Sequence, residues 1–346
     1  MRNKIKNYYK NKLTKIITRI FNLYNTKERK IFHQNYLFYR RYYLSQKNKL
    51  TEKSIRFLVS TWADHAKKIE DYFLNSFTIN FFSHPVIMNT MFIKSKWENL
   101  QLAYLETRYK NKELKKILYE EKFGCPTIAS WKYRSSPNSI HHLNHLSLFE
   151  DKTKCSLKKI KNVIEWGGGY GNMARIFYRI KPNTTYTIID MPIFIFIQAI
   201  YLSSIFGRNK INIITEPNQK IKNNFINLIT LNEELLKNIN FNRPDVFIST
   251  WGLSESNDFS QNIVERLNYF GSRYLLIGHQ ASSFTMPFAE DILKKIDKFE
   301  IVYHKKIPYI RGGNYYLFAK HYLTQKDKSY QQKNYNYYEF KNKKFD

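Results

Sequence analysis

Val163-Ile164-Glu165-Trp166-Gly167-Gly168-Gly169-Tyr170-Gly171-Asn172 is the stretch that decides how this chain folds. An apolar run stops at a cluster of glycines. Glycine lets the backbone turn sharply and come close to a ligand. A helix starting just beyond would present unpaired N–H groups at its first turn. The stretch therefore predicts a strand over 161–166, a loop, and a helix over 171–181.

The same alternation continues outward. Residues 186–190 read as a strand and 193–206 as a helix. Apolar patches at 211–215 and 225–230 offer one or two further strands. Pro244 introduces a strand at 245–250, followed by a helix at 258–270 and a strand at 274–278. A helix at 287–298 is expected next, then strands at 299–304 and 315–321 joined through Gly312-Gly313. Alternating strands and helices predict an α/β fold: a Rossmann-like, mainly parallel sheet covered on both faces, with the last pair of strands open to an antiparallel arrangement. The expected layout is a mainly helical region over 1–121, an irregular connector and acceptor-site cap over 122–157, the α/β domain over 158–321, and a basic Tyr/Asn/Lys-rich tail over 322–346.

The glycines alone do not choose a ligand, because Gly169-x-Gly171-x-x-Ala174 also fits the dinucleotide fingerprint. Glu165 separates the readings. A carboxylate two residues before the first glycine would repel a pyrophosphate. It would favour S-adenosylmethionine, which carries a sulfonium and an ammonium and no phosphate. Asp190, at the end of the next strand, can accept hydrogen bonds from ribose hydroxyls in either case.

ExGGGYGN at 165–172 and IIDMP at 188–192 resemble the class I S-adenosylmethionine-dependent methyltransferases. With DVFISTWGLSES at 245–256, the chain resembles more narrowly the bacterial sugar O-methyltransferase family, over about residues 130–320. The resemblance implies a methyltransferase sheet, S-adenosylmethionine as cofactor, and a hydroxyl of a sugar or glycan precursor as acceptor. It places Glu165, Gly167, Gly169 and Gly171 around the methionine part and Asp190 on the ribose. Gly168, Tyr170, Met191 and Thr250 complete the expected cofactor set.

Transfer to a hydroxyl needs a base, and in such a sheet the working groups stand at the carboxyl ends of the strands. Related O-methyltransferases place a His–Asp pair after the 245–250 strand; here Ser254-Glu255 stands instead. Glu255 is therefore one candidate base, against the plainer reading of an acid beside a helix start. His279 is the other, against a structural histidine. His142, His145, Trp251 and Gln280 are candidate acceptor contacts. No metal is expected: His142 occupies the place that a glutamate holds in HExxH, and Cys125 and Cys155 are isolated.

Composition sets the outer limits. The chain has 346 residues, 57 Lys and Arg against 28 Asp and Glu, and a formal net charge of +29. Lys, Asn, Ile, Tyr and Phe are abundant together, as an AT-rich coding sequence would give, so charge alone does not imply nucleic acid. Nor is the charge centred on the chemistry, since residues 1–50 hold 14 Lys and Arg against Glu28 alone. Leu13, Ile16, Ile17, Ile20, Phe21 and Tyr24 predict a basic amphipathic helix, fit to dock on its own domain or to touch an anionic membrane peripherally. Charges throughout the first 30 residues predict no secretory leader and a cytoplasmic location. Base methylation is disfavoured, because Ser249-Thr250-Trp251-Gly252 is unlike (N/D)PP(Y/F) and neither cysteine follows a proline in the manner of cytosine-C5 enzymes. An RNA ribose 2′-O-methyltransferase and a non-catalytic cofactor-binding docking module stand as alternatives. Oligomeric state is left open.

Overall fold

The computed structural model describes residues 26–92, 97–310 and 312–322. The basic helix expected over 13–24 and all but the first residue of the tail lie outside them.

One sheet of eight strands organises the chain. Its strands are β1 (Asn162–Trp166), β2 (Thr185–Asp190), β3 (Ile211–Ile214), β4 (Ile226–Thr230), β5 (Val246–Thr250), β6 (Tyr274–Gln280), β7 (Phe299–Lys306) and β8 (Asn314–His321). They lie in the order β3-β4-β2-β1-β5-β6-β8-β7. Pairing is parallel from β3 to β6, and β8 runs antiparallel to both β6 and β7. Both apolar patches at 211–215 and 225–230 are strands. Setting aside the edge strand β3, the order and the one reversed strand are those of the class I methyltransferase sheet. Every residue of β2 and β4 is buried, as a sheet covered on both faces requires.

Helix α1 (Thr26–Ser54), α2 (Ser60–Asn75), α3 (Pro85–Thr90), α4 (Glu98–Arg108) and α5 (Asn111–Leu118) precede α6 (Pro137–Thr153), α7 (Asn172–Ile180), α8 (Pro192–Phe206), α9 (Glu233–Asn238) and α10 (Asp258–Arg266). Helix α8 explains how the amino-terminal helices join the sheet. Pro192–Ser203 is buried at every position because β2, β3 and β4 cover one side while α1 and α2 cover the other. Tyr43 of α1 meets Phe196 edge-on at 4.9 Å, and Asn35 Nδ2 donates to Ser204 Oγ at 3.0 Å. One continuous core therefore runs from Phe32 to Ala319.

Two expectations are corrected. The second half of the connector is a helix: α6 is capped by Ser136 Oγ, which accepts from Ser139 N, and starts on Pro137. It packs against α4, α7 and β8 as part of the core. The segment expected as a helix at 287–298 forms turns and a single 3₁₀ turn at Asp291–Lys294. Its backbone bonds run over three residues, from Leu293 N to Glu290 O and from Lys295 N to Ile292 O. The apolar spacing still buries Ala289, Ile292 and Ile296, and the Phe288 carbonyl accepts both from Asp291 N at 3.1 Å and from the Gln261 side chain at 2.9 Å.

Candidate functional site

The carboxyl ends of β1, β2, β4, β5 and β6 surround a cavity of about 510 Å³. Such ends are where the reversal of strand order in an open α/β sheet leaves a crevice. The glycine loop forms its floor. Gly167 N donates to Ile189 O at 3.0 Å, and the chain leaves β1 with φ +76° at Gly167. The loop after β5 rests directly on this bend: a Cβ at Gly252 would lie 2.6 Å from the Trp166 carbonyl oxygen and 2.9 Å from Gly167 Cα. Only glycine fits there. Gly171, at φ +94°, then starts α7.

Three carboxylates line the cavity. Glu165 is buried and accepts from the Tyr186 hydroxyl at 2.9 Å. Burial pushes its pKa up to about 8, Tyr186 opposes the shift, and Asp190 adds to it. Asp190 accepts from Met191 N at 2.8 Å and from Gln198 Nε2 at 2.7 Å. Burial raises it to about 7 against those bonds and others from the Gly168 and Gly169 amides. It thus holds the glycine loop in place, and its carboxylate has further acceptor capacity for a ligand. Gln198 Nε2 also donates to the Gly169 carbonyl at 2.9 Å, tying the loop to α8.

Glu255 is the third. Its Oε2 accepts from the Trp62 indole N–H at 3.2 Å, and burial raises its pKa to about 7, partly countered by that bond. It does not cap the next helix; Asn257 does so, accepting from Ser260 N. The β5 loop that carries Glu255 is braced by Trp251 N donating to Gly278 O at 2.7 Å, Leu253 N donating to Ser249 Oγ at 2.8 Å, and the Trp166 indole donating to Ser256 Oγ at 3.1 Å. Trp251 Nε1 donates to Asn314 Oδ1 at 2.7 Å, joining this loop to β8. Among the described residues lining the cavity there is no Lys or Arg, although the chain as a whole carries +29.

Of the expected cofactor residues, Glu165, Gly167, Gly168, Gly169, Tyr170, Asp190, Met191 and Thr250 line the cavity, and Gly171 stands behind them at the start of α7. Of the expected acceptor contacts, His142, Trp251 and Gln280 line it. His279 and His145 do not. Successive residues of a strand face opposite sides of the sheet; Gln280 faces the cavity, so His279 faces away. There it stacks on His304 and Tyr315, with its Nε2 3.1 Å from His304 Nε2, and burial lowers its pKa to about 4. His279 is therefore not placed to take a proton from a ligand in this cavity. His145 is wholly buried in α6, its Nε2 2.8 Å from His141 Nε2 and its ring against Tyr316.

Sequence reasoning missed Trp62, Tyr186, Gln198, Asn172, Asn314 and the wall built by Phe57–Val59 and Asn89–Phe92. Gln198 had a visible signal, as a polar residue inside the apolar run of α8. The wall residues had none.

No protein-family model matches the chain, and no curated protein sequence matches it. Among solved structures it is similar to magnesium protoporphyrin IX methyltransferase from Synechocystis PCC 6803, with 12% identity, 53% of this chain and 80% of that one covered, and a TM-score of 0.38. It is also similar to mitomycin 7-O-methyltransferase (10% identity, 54% and 57% covered, TM-score 0.35) and to the 16S rRNA methylase ArmA (15% identity, 66% and 100% covered, TM-score 0.31). Strand order and the glycine loop, rather than these distant likenesses, define the class I methyltransferase fold.

Proposed function

We propose that this chain is an S-adenosylmethionine-dependent O-methyltransferase whose acceptor is a hydroxyl of a sugar or glycan precursor. One observation carries the reading: three desolvated carboxylates, and no cationic side chain among the described residues, line a single cavity at the strand ends. Desolvated carboxylates are costly unless a cation joins them. A diphosphate would add to that cost.

When bound, S-adenosylmethionine supplies a methyl group on a positively charged sulfur together with an ammonium. Glu165, protonated in much of the ligand-free protein near neutral pH, would give up its proton to meet that charge. Asp190 would accept from ribose hydroxyls. Glu255, poised near neutral pH, would accept the proton of the acceptor hydroxyl as the new oxygen–carbon bond forms, and Trp62 would hold its carboxylate in place. Trp62, Trp251 and Phe57 line the cavity, and such aromatic faces suit the apolar faces of a sugar ring.

Titration calorimetry with S-adenosylhomocysteine and with NADH tests the cofactor: uptake of the first and not the second is expected, and the reverse would end the reading. Comparison of intact-glycan masses with and without the gene tests the acceptor, with loss of one methyl unit expected. Methyl incorporation into RNA instead would favour the ribose 2′-O reading. Contact of the basic amino-terminal residues with anionic membrane or precursor is also proposed, and release of the protein by high salt would show it.

A further inference from the structure

Of His141, His142 and His145, His142 lines the cavity, and a chain of buried hydrogen bonds fixes where its proton sits. The chain starts at Arg175, which is wholly buried and can only donate. Its Nη2 pairs with Glu120 Oε1 at 3.1 Å, and its Nη1 donates to the Tyr119 carbonyl at 2.6 Å. Its Nε donates to Asn172 Oδ1 at 3.0 Å, while the one proton of the Ser139 hydroxyl goes to the Glu120 carboxylate. The Asn172 amide can therefore be turned only one way, oxygen toward Arg175 and nitrogen toward His142. Asn172 Nδ2 lies 3.1 Å from His142 Nδ1. Nδ1 must accept, so the ring proton is on Nε2.

Burial, with the charge of Arg175, lowers the His142 pKa to about 3. The ring is thus neutral and of one tautomer, a donor and not a base, in a cavity whose other prominent groups are carboxylates.

We infer that His142 Nε2–H holds the carboxylate at the amino-acid end of the cofactor, with Asn172 and Arg175 as positioning residues that set its tautomer. This rests on the donor proposed above. That end of S-adenosylmethionine carries an ammonium and a carboxylate on one carbon. Glu165, at the strand end of the glycine loop, suits the ammonium. The carboxylate needs donors, and the described lining offers no Lys or Arg. His142 meets Asn172, the first residue of α7, at the helix end of the same loop. A neutral N–H there satisfies a carboxylate without creating a seat for a diphosphate.

The test compares two ligands on three proteins by calorimetry: S-adenosylhomocysteine, which has the carboxylate, and 5′-methylthioadenosine, which lacks the amino-acid end. His142→Ala is expected to weaken the first by about 10- to 100-fold, the scale of a hydrogen bond to a charged group, and to leave the second unchanged. His142→Gln, whose amide can accept from Asn172 and still donate, should recover most of the loss. In nitrogen-15 spectra the wild-type ring should show a protonated Nε2 and an unprotonated Nδ1. Equal loss for both ligands, loss for neither, or the opposite tautomer would overturn the inference. Failure of the wild type to bind S-adenosylhomocysteine would instead sink the donor reading beneath it.

Discussion

The two walls of the cavity were built in different ways. The glycine-loop wall comes from consecutive strand ends and loops: Glu165 to Asn172, then Asp190 and Met191. Its geometry follows from local rules: a strand, a bend only glycine can make, and a helix start. The facing wall brings Trp62 against Glu255, across nearly two hundred positions, and the same amino-terminal part lays Met91 and Phe92 over Gly169 and Tyr170. Those residues share no motif, and only packing of the amino-terminal helices on the sheet core brings them in. Under the function proposed above, the first wall would hold the cofactor and the second would suit the acceptor.

If the division is right, the largest effect should come from a change on the second wall that spares the first. Glu255→Gln should lower methyl transfer by about 10²-fold or more, the usual scale for a lost general base, while S-adenosylhomocysteine affinity stays within about twofold. Loss of affinity in step with rate would show that Glu255 belongs to the cofactor wall. The converse change, Glu165→Gln, keeps an acceptor for the Tyr186 hydroxyl and should weaken S-adenosylhomocysteine by about tenfold. Where the walls touch, Gly252→Ala drives a Cβ into Trp166 and Gly167 backbone and should cost about 1–3 kcal/mol of stability, as overpacking does. Chemical denaturation measures it, and an unchanged midpoint would mean that the two loops are not tightly seated.

The carboxylates also predict how the ligand-free protein responds to pH. Glu165, Asp190 and Glu255 ionise near pH 4 when unfolded and only at about 8, 7 and 7 when folded. Groups with raised pKa favour the folded state fully below pH 4 and lose that contribution as pH rises through 7 to 8. Stability from these groups should therefore fall between about pH 4 and pH 8. Glu165→Gln should flatten the upper part of that fall, and denaturation midpoints across the range would show it.

Much of this was legible from residues and much was not, for definite reasons. The strand–helix alternation from β1 onward, the floor of the cavity and the places of Asp190 and Glu255 follow from sequence, because each depends on neighbours a few positions away. Spacing alone does not tell which of two neighbouring residues at the end of β6 faces the cavity; Gln280 does and His279 faces away. The expected helix at 287–298 had the right apolar positions but winds three residues per bond, a difference that burial periodicity over one short segment does not resolve. His142 and His145 lie three positions apart on α6 with their rings 6.0 Å apart, yet His142 lines the cavity and His145 packs behind it on His141 and Tyr316. Gln198 could have been found from its isolation among apolar residues. Trp62 could not.

Trp62 offers the finest probe of the wall that carries Glu255. Its indole N–H donates to Glu255 Oε2 and so favours the ionised carboxylate, opposing the upward push of burial. Trp62→Phe keeps the aromatic bulk that packs edge-on against Phe194 and removes only the donor. The Glu255 pKa should rise, since the charged form loses a partner while desolvation remains. In a profile of kcat/KM against pH, the acidic limb, below which Glu255 is protonated and cannot take a proton, should move to higher pH. The rate at high pH should recover much of the wild-type value, because the base is still present. A fall at every pH with no movement of the limb would show that Trp62 shapes the acceptor pocket without tuning Glu255, and the amino-terminal wall would then contribute form but not chemistry.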